Sequence, residues 1–288
     1  MIFDDPKFDW KKSEDIRPYV FVRPENKIES PGQLHSTVDW FPKTPIYKNP
    51  LDMEELGFGD RILYLEAKAF GPSGMAMPRW VFYDCAIVPG FVAGYAARTS
   101  KLSESVKKKL LVDDSVEWTP LSLFIIIPTM SREGEWVAHN LCSVNSLLDK
   151  PDRFYGLGFL SKAFGLWYAN VKICCGFTQW GNPAVKLHAY YGEFEVLTSY
   201  TPIHSHAKTL TYRVKVNPDY WPNFFTKEPL KDLGEKLSDS GVKVDPTDEE
   251  SLISLQKQLQ EGKGPYFLRP SEVITKGLDE PLTLYRQS

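Results

Sequence analysis

The stretch Gly156-Leu-Gly-Phe-Leu-Ser-Lys-Ala-Phe-Gly-Leu-Trp-Tyr-Ala-Asn-Val-Lys-Ile-Cys-Cys-Gly-Phe177 decides how the chain is read. Its opening, Gly156-Leu-Gly158-Phe-Leu-Ser161, comes near a dinucleotide-binding fingerprint. Ser161 stands where the third glycine belongs, however, and the preceding Asp149-Lys-Pro-Asp-Arg-Phe-Tyr155 is no buried strand. A nucleotide role is therefore set aside. The second half, Leu166 to Phe177, is an apolar run of the kind that forms a strand.

Working outward, short β-rich runs recur from Asp60 on: Arg61 to Ala69, Trp80 to Val88, Gly94 to Ala97, Leu121 to Ile127 and Trp136 to Ser143. Each is bounded by Gly, Pro, Asn or Asp, the layout of antiparallel strands and turns. A hairpin is expected from Val185–Tyr191 and Phe194–Thr201 around Gly192-Glu193, where glycine supplies a positive φ. Two helices are expected. In Leu102–Leu111, the residues Leu102, Val106 and Leu110 share a face, and Lys107 to Lys109 sit at the cation-favouring end. The second runs from about Asp248 to Glu261, with Thr247 and Glu250 in capping-box spacing and Gly262 as its stop. It lies in a polar segment, 227–264, that looks like a surface insertion. Residues 1–60, rich in Pro, Asp, Lys and aromatics without a sustained period, are expected to form an arm. Phe8, Trp10, Trp40 and Phe41 should pack it on the core or on a second subunit. The division is thus an arm, 1–60, and one β domain, 61–288.

Composition narrows the partners. The 288 residues carry 34 basic and 37 acidic side chains, a net charge of −3, so there is no electrostatic footprint for nucleic acid or an anionic membrane. The longest apolar stretch, Leu121 to Ile127, stops at Pro128 and is far short of the roughly 20 residues of a membrane helix. The acidic opening, broken by Pro6, lacks the features of a signal peptide. Cys85, Cys142, Cys174 and Cys175 show no CxxC spacing. A cytoplasmic protein with reduced core thiols is the reading, and the vicinal pair Cys174-Cys175 is taken as two inert thiols.

Other motifs fall away. Gly71-Pro-Ser73-Gly74-Met75 lacks the second glycine of a nucleophile elbow. His204-Ser-His206 places two imidazoles on one strand face, but Ala207 to Tyr212 supplies no carboxylate and His188 falls opposite Leu197, so no metal is expected.

The ordered series Val81-Phe-Tyr-Asp84, Ala96-Ala-Arg-Thr99, Leu121-Ser-Leu-Phe-Ile-Ile-Ile127, Gly134-Glu-Trp-Val-Ala-His-Asn140, Gly158-Phe-Leu-Ser-Lys-Ala-Phe-Gly-Leu166 and Tyr190-Tyr-Gly-Glu-Phe-Glu-Val196 resembles the acetoacetate decarboxylase family. The resemblance implies a mainly β (α+β) protein with an antiparallel, cone-like β-barrel and its active site inside. In that family a lysine of depressed pKa forms a Schiff base with a β-keto acid. Here the lysine position falls near Leu166, and the two glutamate positions fall on Ile125 and among Ala138, His139 and Asn140. Arg98 matches the family arginine and would hold an oxyanion.

The expectation that follows is an enzyme of small-molecule, secondary metabolism acting on a polyketide-like or β-keto substrate. The reaction would be a lyase or isomerase/cyclase step without a Schiff base, metal or other cofactor. Arg98 would be the anion anchor and His139 the acid or base. Trp80, Tyr95, Trp136, Phe164 and Trp167 would line an apolar substrate pocket. Two alternatives are a Schiff-base decarboxylase or aldolase-dehydratase using Lys172 or Lys162, and a noncatalytic carrier. The expected partners are a small-molecule substrate and further copies of the chain in a homo-oligomer, with no nucleic acid and no membrane.

Overall fold

In a computed structural model, residues 6–29, 31, 43–87, 90–204, 206–216, 237–276 and 278–287 are described. They fall into two compact units. The first takes the chain to Met130 together with Ala138–Asn170, and the second takes Ser131–Val137 and the described residues from Val171 on.

The first unit is built on β3 (Phe91–Arg98), whose residues are buried except for half-buried Arg98, as in a strand covered on both faces. It pairs antiparallel with β1 (Ile16–Phe21), β4 (Trp118–Pro120) and β5 (Ser122–Pro128). A parallel strand, β2 (Ile46–Lys48), lies outside β1. On the other side of β5 comes β6 (Glu135–Ser143), giving the order β6-β5-β3-β1-β2. Between these strands the chain forms α1 (Leu56–Phe70), α2 (Arg79–Ile87), α3 (Glu104–Leu110) and α4 (Leu157–Tyr168). Phe58, Ile62, Leu65 and Glu66 are the buried stripe of α1, recurring at three and four residues. Ser103 caps α3 by accepting the Val106 amide at 3.3 Å, and Leu111, in the left-handed region, ends it.

In α4, ten of its twelve residues are buried, so it has no polar face. It reaches β5 at Gly165, where an added Cβ would stand 2.6 Å from Phe124 Cδ1. Ser161 Oγ meets Ser122 Oγ at 2.6 Å, and the same Ser122 hydroxyl accepts the Tyr95 amide at 2.9 Å. Two polar side chains in an apolar layer thereby satisfy each other, which fixes the rotation of α4.

The second unit has the order β10-β12-β11-β8-β9-β7-β6, from β7 (Ile173–Gln179), β8 (Gly192–Thr198), β9 (Thr209–Val216), β10 (Leu237–Val244), β11 (Tyr266–Leu268) and β12 (Leu282–Gln287). Its pairings from β7 to β10 are antiparallel. The helices are α5 (Ala184–Ala189), α6 (Glu249–Gln260) and α7 (Pro270–Lys276).

Neither strand order returns on itself among the described residues, so the expected closed, cone-like β-barrel is not formed; each unit is an open sheet with helices, mixed in the first unit. Three expected strands are helices. Arg61 to Ala69 lies in α1, Trp80 to Val88 largely in α2, and Leu166 to Tyr168 closes α4 before the strand resumes at Ile173. The first arm of the expected hairpin is α5, and Gly192 opens β8 instead of making a turn. The expected strands at 94–97, 121–127 and 136–143 match β3, β5 and β6 within a few residues, as the two expected helices match α3 and α6. The cap of α6 is Asp248, whose carboxylate accepts the Ser251 amide at 3.1 Å, while Thr247 donates to Asp245. Trp40 and Phe41 lie outside the described residues, and so does Phe8 as a side chain.

Candidate active site

Glu66 is fully buried on α1, and its carboxylate is held from two directions. The Met77 amide donates to both oxygens, at 3.1 and 3.0 Å, and Asn140 Nδ2 donates to Oε1 at 2.8 Å. Burial raises the Glu66 pKa; the two donors and the nearby His139 oppose the rise. Because Asn140 spends its amide N–H on Glu66, its Oδ1 is turned to His139 Nδ1, 3.0 Å away. In that tautomer Nδ1 carries the proton and Nε2 is the acceptor. Glu66 thus orients Asn140, which orients His139. Cys142, two residues on in β6, has its thiol pKa pushed up by burial and then by the Glu66 charge, which keeps it protonated.

The strand carrying this relay is unusually open. Of the nine residues of β6 only Ala138 is buried, whereas the first five residues of neighbouring β5 all are. Beyond Ser143 the chain turns back into α4 through a loop that Asn145 closes: its Oδ1 accepts the Phe154 amide at 2.8 Å and its Nδ2 donates to the Phe154 carbonyl at 2.7 Å. Trp10 Nε1 donates to the Tyr155 carbonyl at 2.9 Å. Gly156, at φ +74, then takes the left-handed conformation that the entry to α4 requires. At Gly158, in the first turn, an added Cβ would meet nothing within 4 Å. The amides of a helix's first turn have no partner within the helix, so this is an open, partly positive surface suited to an anion.

The residues singled out in the sequence are scattered. His139 belongs to the relay. Arg98 is 42% exposed, paired with Glu117 at 3.3 Å and Asp15 at 3.5 Å, with its guanidinium over Trp118. Lys162 is fully buried in α4 with its ammonium 5.9 Å from the centre of the Phe124 ring. Lys172, in the second unit, is largely exposed and reaches Glu133 at 3.6 Å. Tyr95, Phe164 and Trp167 are core residues, Trp80 is 69% exposed, and Trp136 is half-buried. Sequence reasoning missed Glu66 and Asn140. The signal for Glu66 was a carboxylate in line with Ile62 and Leu65, visible once 61–69 is read with helical spacing. Gly156 and Gly158 were set aside because Ser161 replaces the third glycine of a dinucleotide fingerprint and no strand directly precedes them; β6 lies beyond a loop spanning 144–156.

No family model matches the chain, and no curated protein matches it. Three solved structures resemble it in fold over about half of the chain. One is a protein from Desulfovibrio desulfuricans assigned to the GNAT family of acetyltransferases, with 13% identity and a TM-score of 0.34 over 54% of this chain and 92% of that one. A second is the NatC complex bound to Gag peptide and CoA, with 10% identity and a TM-score of 0.37 over 58% and 96%. A third is Arabidopsis thaliana NAA60 in complex with a bisubstrate analogue, with 11% identity and a TM-score of 0.36 over 55% and 95%. The resemblance to acetoacetate decarboxylases is overturned. The sheet is open, and two of the matched segments are the helices α2 and α4. With it go the lyase and cyclase chemistry on a β-keto substrate, the Schiff-base alternative and the noncatalytic carrier, all of which rested on that barrel. Among the described residues no helix is long and apolar enough to cross a membrane, and no group of three or more His, Cys, Asp or Glu side chains could hold a metal ion.

Proposed function

We propose that the first unit is an acyltransferase that moves an acyl group from a phosphate-bearing thioester, such as acetyl-CoA, to an amine. The observation that carries the reading is the run from His139 along β6 to the start of α4, which puts a proton acceptor and an anion site on one continuous strand, loop and helix. From His139 to Ser143 the strand advances about 13 Å, at about 3.3 Å per residue. A donor seated on both needs an arm between its phosphates and its reacting carbon. Pantetheine supplies one; a nucleoside triphosphate, whose reacting atom is itself a phosphorus, does not.

On this reading the amides at Gly156 and Gly158 hold the phosphates, and the half-exposed face of β6 takes the extended arm. The amine nitrogen attacks the thioester carbon, the C–N bond forms and the C–S bond breaks. His139 Nε2 accepts the amine proton and returns it to the departing thiolate. Glu66 and Asn140 hold the imidazole in the tautomer that can do this, as positioning residues. A cytoplasmic setting agrees with four cysteines that are all free. A homo-oligomer would cover exposed Trp80 and Met53.

The test is thiol release from acetyl-CoA with a panel of primary amines. The His139→Ala variant should lower kcat by about 10²-fold or more, the usual share of general acid–base catalysis, with little change in the donor KM. The Gly158→Asp variant, which sets a negative charge in the open space before α4, should raise the donor KM instead. Absence of thiol release, together with no thermal stabilisation of the protein by CoA, would refute the reading.

A further inference from the structure

A cavity of about 570 Å³ opens in the first unit beside the N-terminal 3-10 turn (Pro6–Lys12) and the loop that leads to α4. Its floor is apolar: Leu102 and Val106 are buried, with Ile16 and Ala97 beside them. Trp10 and Phe154 form an aromatic wall, their rings edge to face at 6.1 Å. Charges of both signs stand around this floor. Lys101 and Arg153 line the cavity together with Asp15 and Asp152.

These four side chains do not neutralise one another. Neither the Lys101 ammonium nor the Asp152 carboxylate has a hydrogen bond or ion pair among the described residues. Arg153 spends its Nε on the Leu148 carbonyl at 3.0 Å, and Asp15 has only the Arg98 guanidinium, at 3.5 Å. Opposite charges lining one cavity without pairing to each other are available to a ligand that carries both. The same pattern selects against simpler ligands. A phosphate or other polyanion would meet Asp15 and Asp152, and a polyamine would meet Lys101 and Arg153. The volume lies within the range of small-molecule sites, and the aromatic wall over an apolar floor suits a flat or branched hydrocarbon group.

We propose that this cavity binds a zwitterionic α-amino acid with an apolar side chain, its carboxylate on Lys101 and Arg153, its ammonium on Asp152 and Asp15, and its side chain on the floor beside Trp10. The site is separate from the relay at Glu66 and does not depend on the acyl-donor reading.

Calorimetric titration of the full chain with L-phenylalanine, phenethylamine and 3-phenylpropionate tests it. L-phenylalanine should bind saturably, and each analogue, lacking one charge, about tenfold more weakly or worse. The Lys101→Gln variant should weaken L-phenylalanine by about tenfold while leaving phenethylamine unchanged, and Asp152→Asn should do the same while leaving 3-phenylpropionate unchanged. Both side chains are at the surface, so melting curves matching the parent protein will show that folding is intact. Three results would each overturn the proposal: no saturable heat with L-phenylalanine, analogues that bind as tightly as the amino acid, or variants that bind all three ligands alike.

Discussion

Glu66 shows how one buried side chain ties stability to function. Its carboxylate pKa is raised mainly by burial, so the folded chain holds that proton to a higher pH than the unfolded chain, whose glutamates titrate near about 4.3. Between the two values the native state binds more protons than the unfolded state. The Glu66 contribution to stability therefore falls as pH rises through that window and is lowest above the folded value. In Glu66→Gln the window disappears. The stability of the variant relative to the parent should rise as pH increases from about 4 toward neutrality, measured by urea denaturation at several pH values. A difference that stays flat with pH would show that Glu66 is ionised at the same pH folded and unfolded. The substitution also carries a fixed cost of about 1–3 kcal/mol. A glutamine cannot accept from both Met77 and Asn140 without leaving one donor facing another. If Asn140 turns over to relieve this, His139 Nδ1 loses its acceptor, so activity should fall even where stability recovers.

At the scale of elements, α4 explains both what the sequence disclosed and what it hid. Strands β3, β5 and β6 and helices α3 and α6 were legible because period and punctuation agreed: Leu121 to Ile127 stops at Pro128, Ser103 caps α3, and Gly262 lies just past α6. With ten of twelve residues buried, α4 has no polar face and so no helical stripe to detect, and an apolar run of that length is ambiguous by pattern alone. In α2 the run Trp80-Val-Phe-Tyr83 is rich in strand formers, and tertiary packing overrode that preference. Of the site, His139 was legible as a lone imidazole in a strand, while Glu66 and Asn140 acquire meaning only through a contact 74 residues apart in sequence. The seating of α4 on β5 is testable at Gly165. A methyl there would stand 2.6 Å from Phe124 Cδ1 and 3.4 Å from Ala93 Cβ, and fully buried Phe124 has no room to yield. Gly165→Ala should destabilise the protein by about 1–3 kcal/mol, the usual cost of overpacking, although alanine is the better helix former. Gly181→Ala, where the added methyl meets nothing within 4 Å, is the control and should be near neutral. Equal melting of the two variants would show that α4 does not lie against β5 as described.

For the molecule as a whole, the chain divides into two compact units, and the proposed relay and anion site both belong to the first. That assignment makes the distribution of ligand protection a sharper test than its average. A ligand that binds only the folded form at 100 times its Kd adds about 2.7 kcal/mol to every opening that destroys its site, which slows exchange through that opening about 100-fold. With acetyl-CoA or CoA present, the amides of β6 from Ala138 to Ser143, of the loop 144–156 and of the first turns of α4 should gain that protection in hydrogen exchange. The amides of α6, anchored where Gln256 accepts from the Ser199 and Tyr200 amides at 2.8 and 3.3 Å, should keep their rates, because no residue placed on the donor lies in that helix. Peptide-resolved mass spectrometry separates the two outcomes. Protection gained in α6 and β12 but not along 138–160 would remove the donor from the first unit and, with it, the link between His139 and acyl transfer.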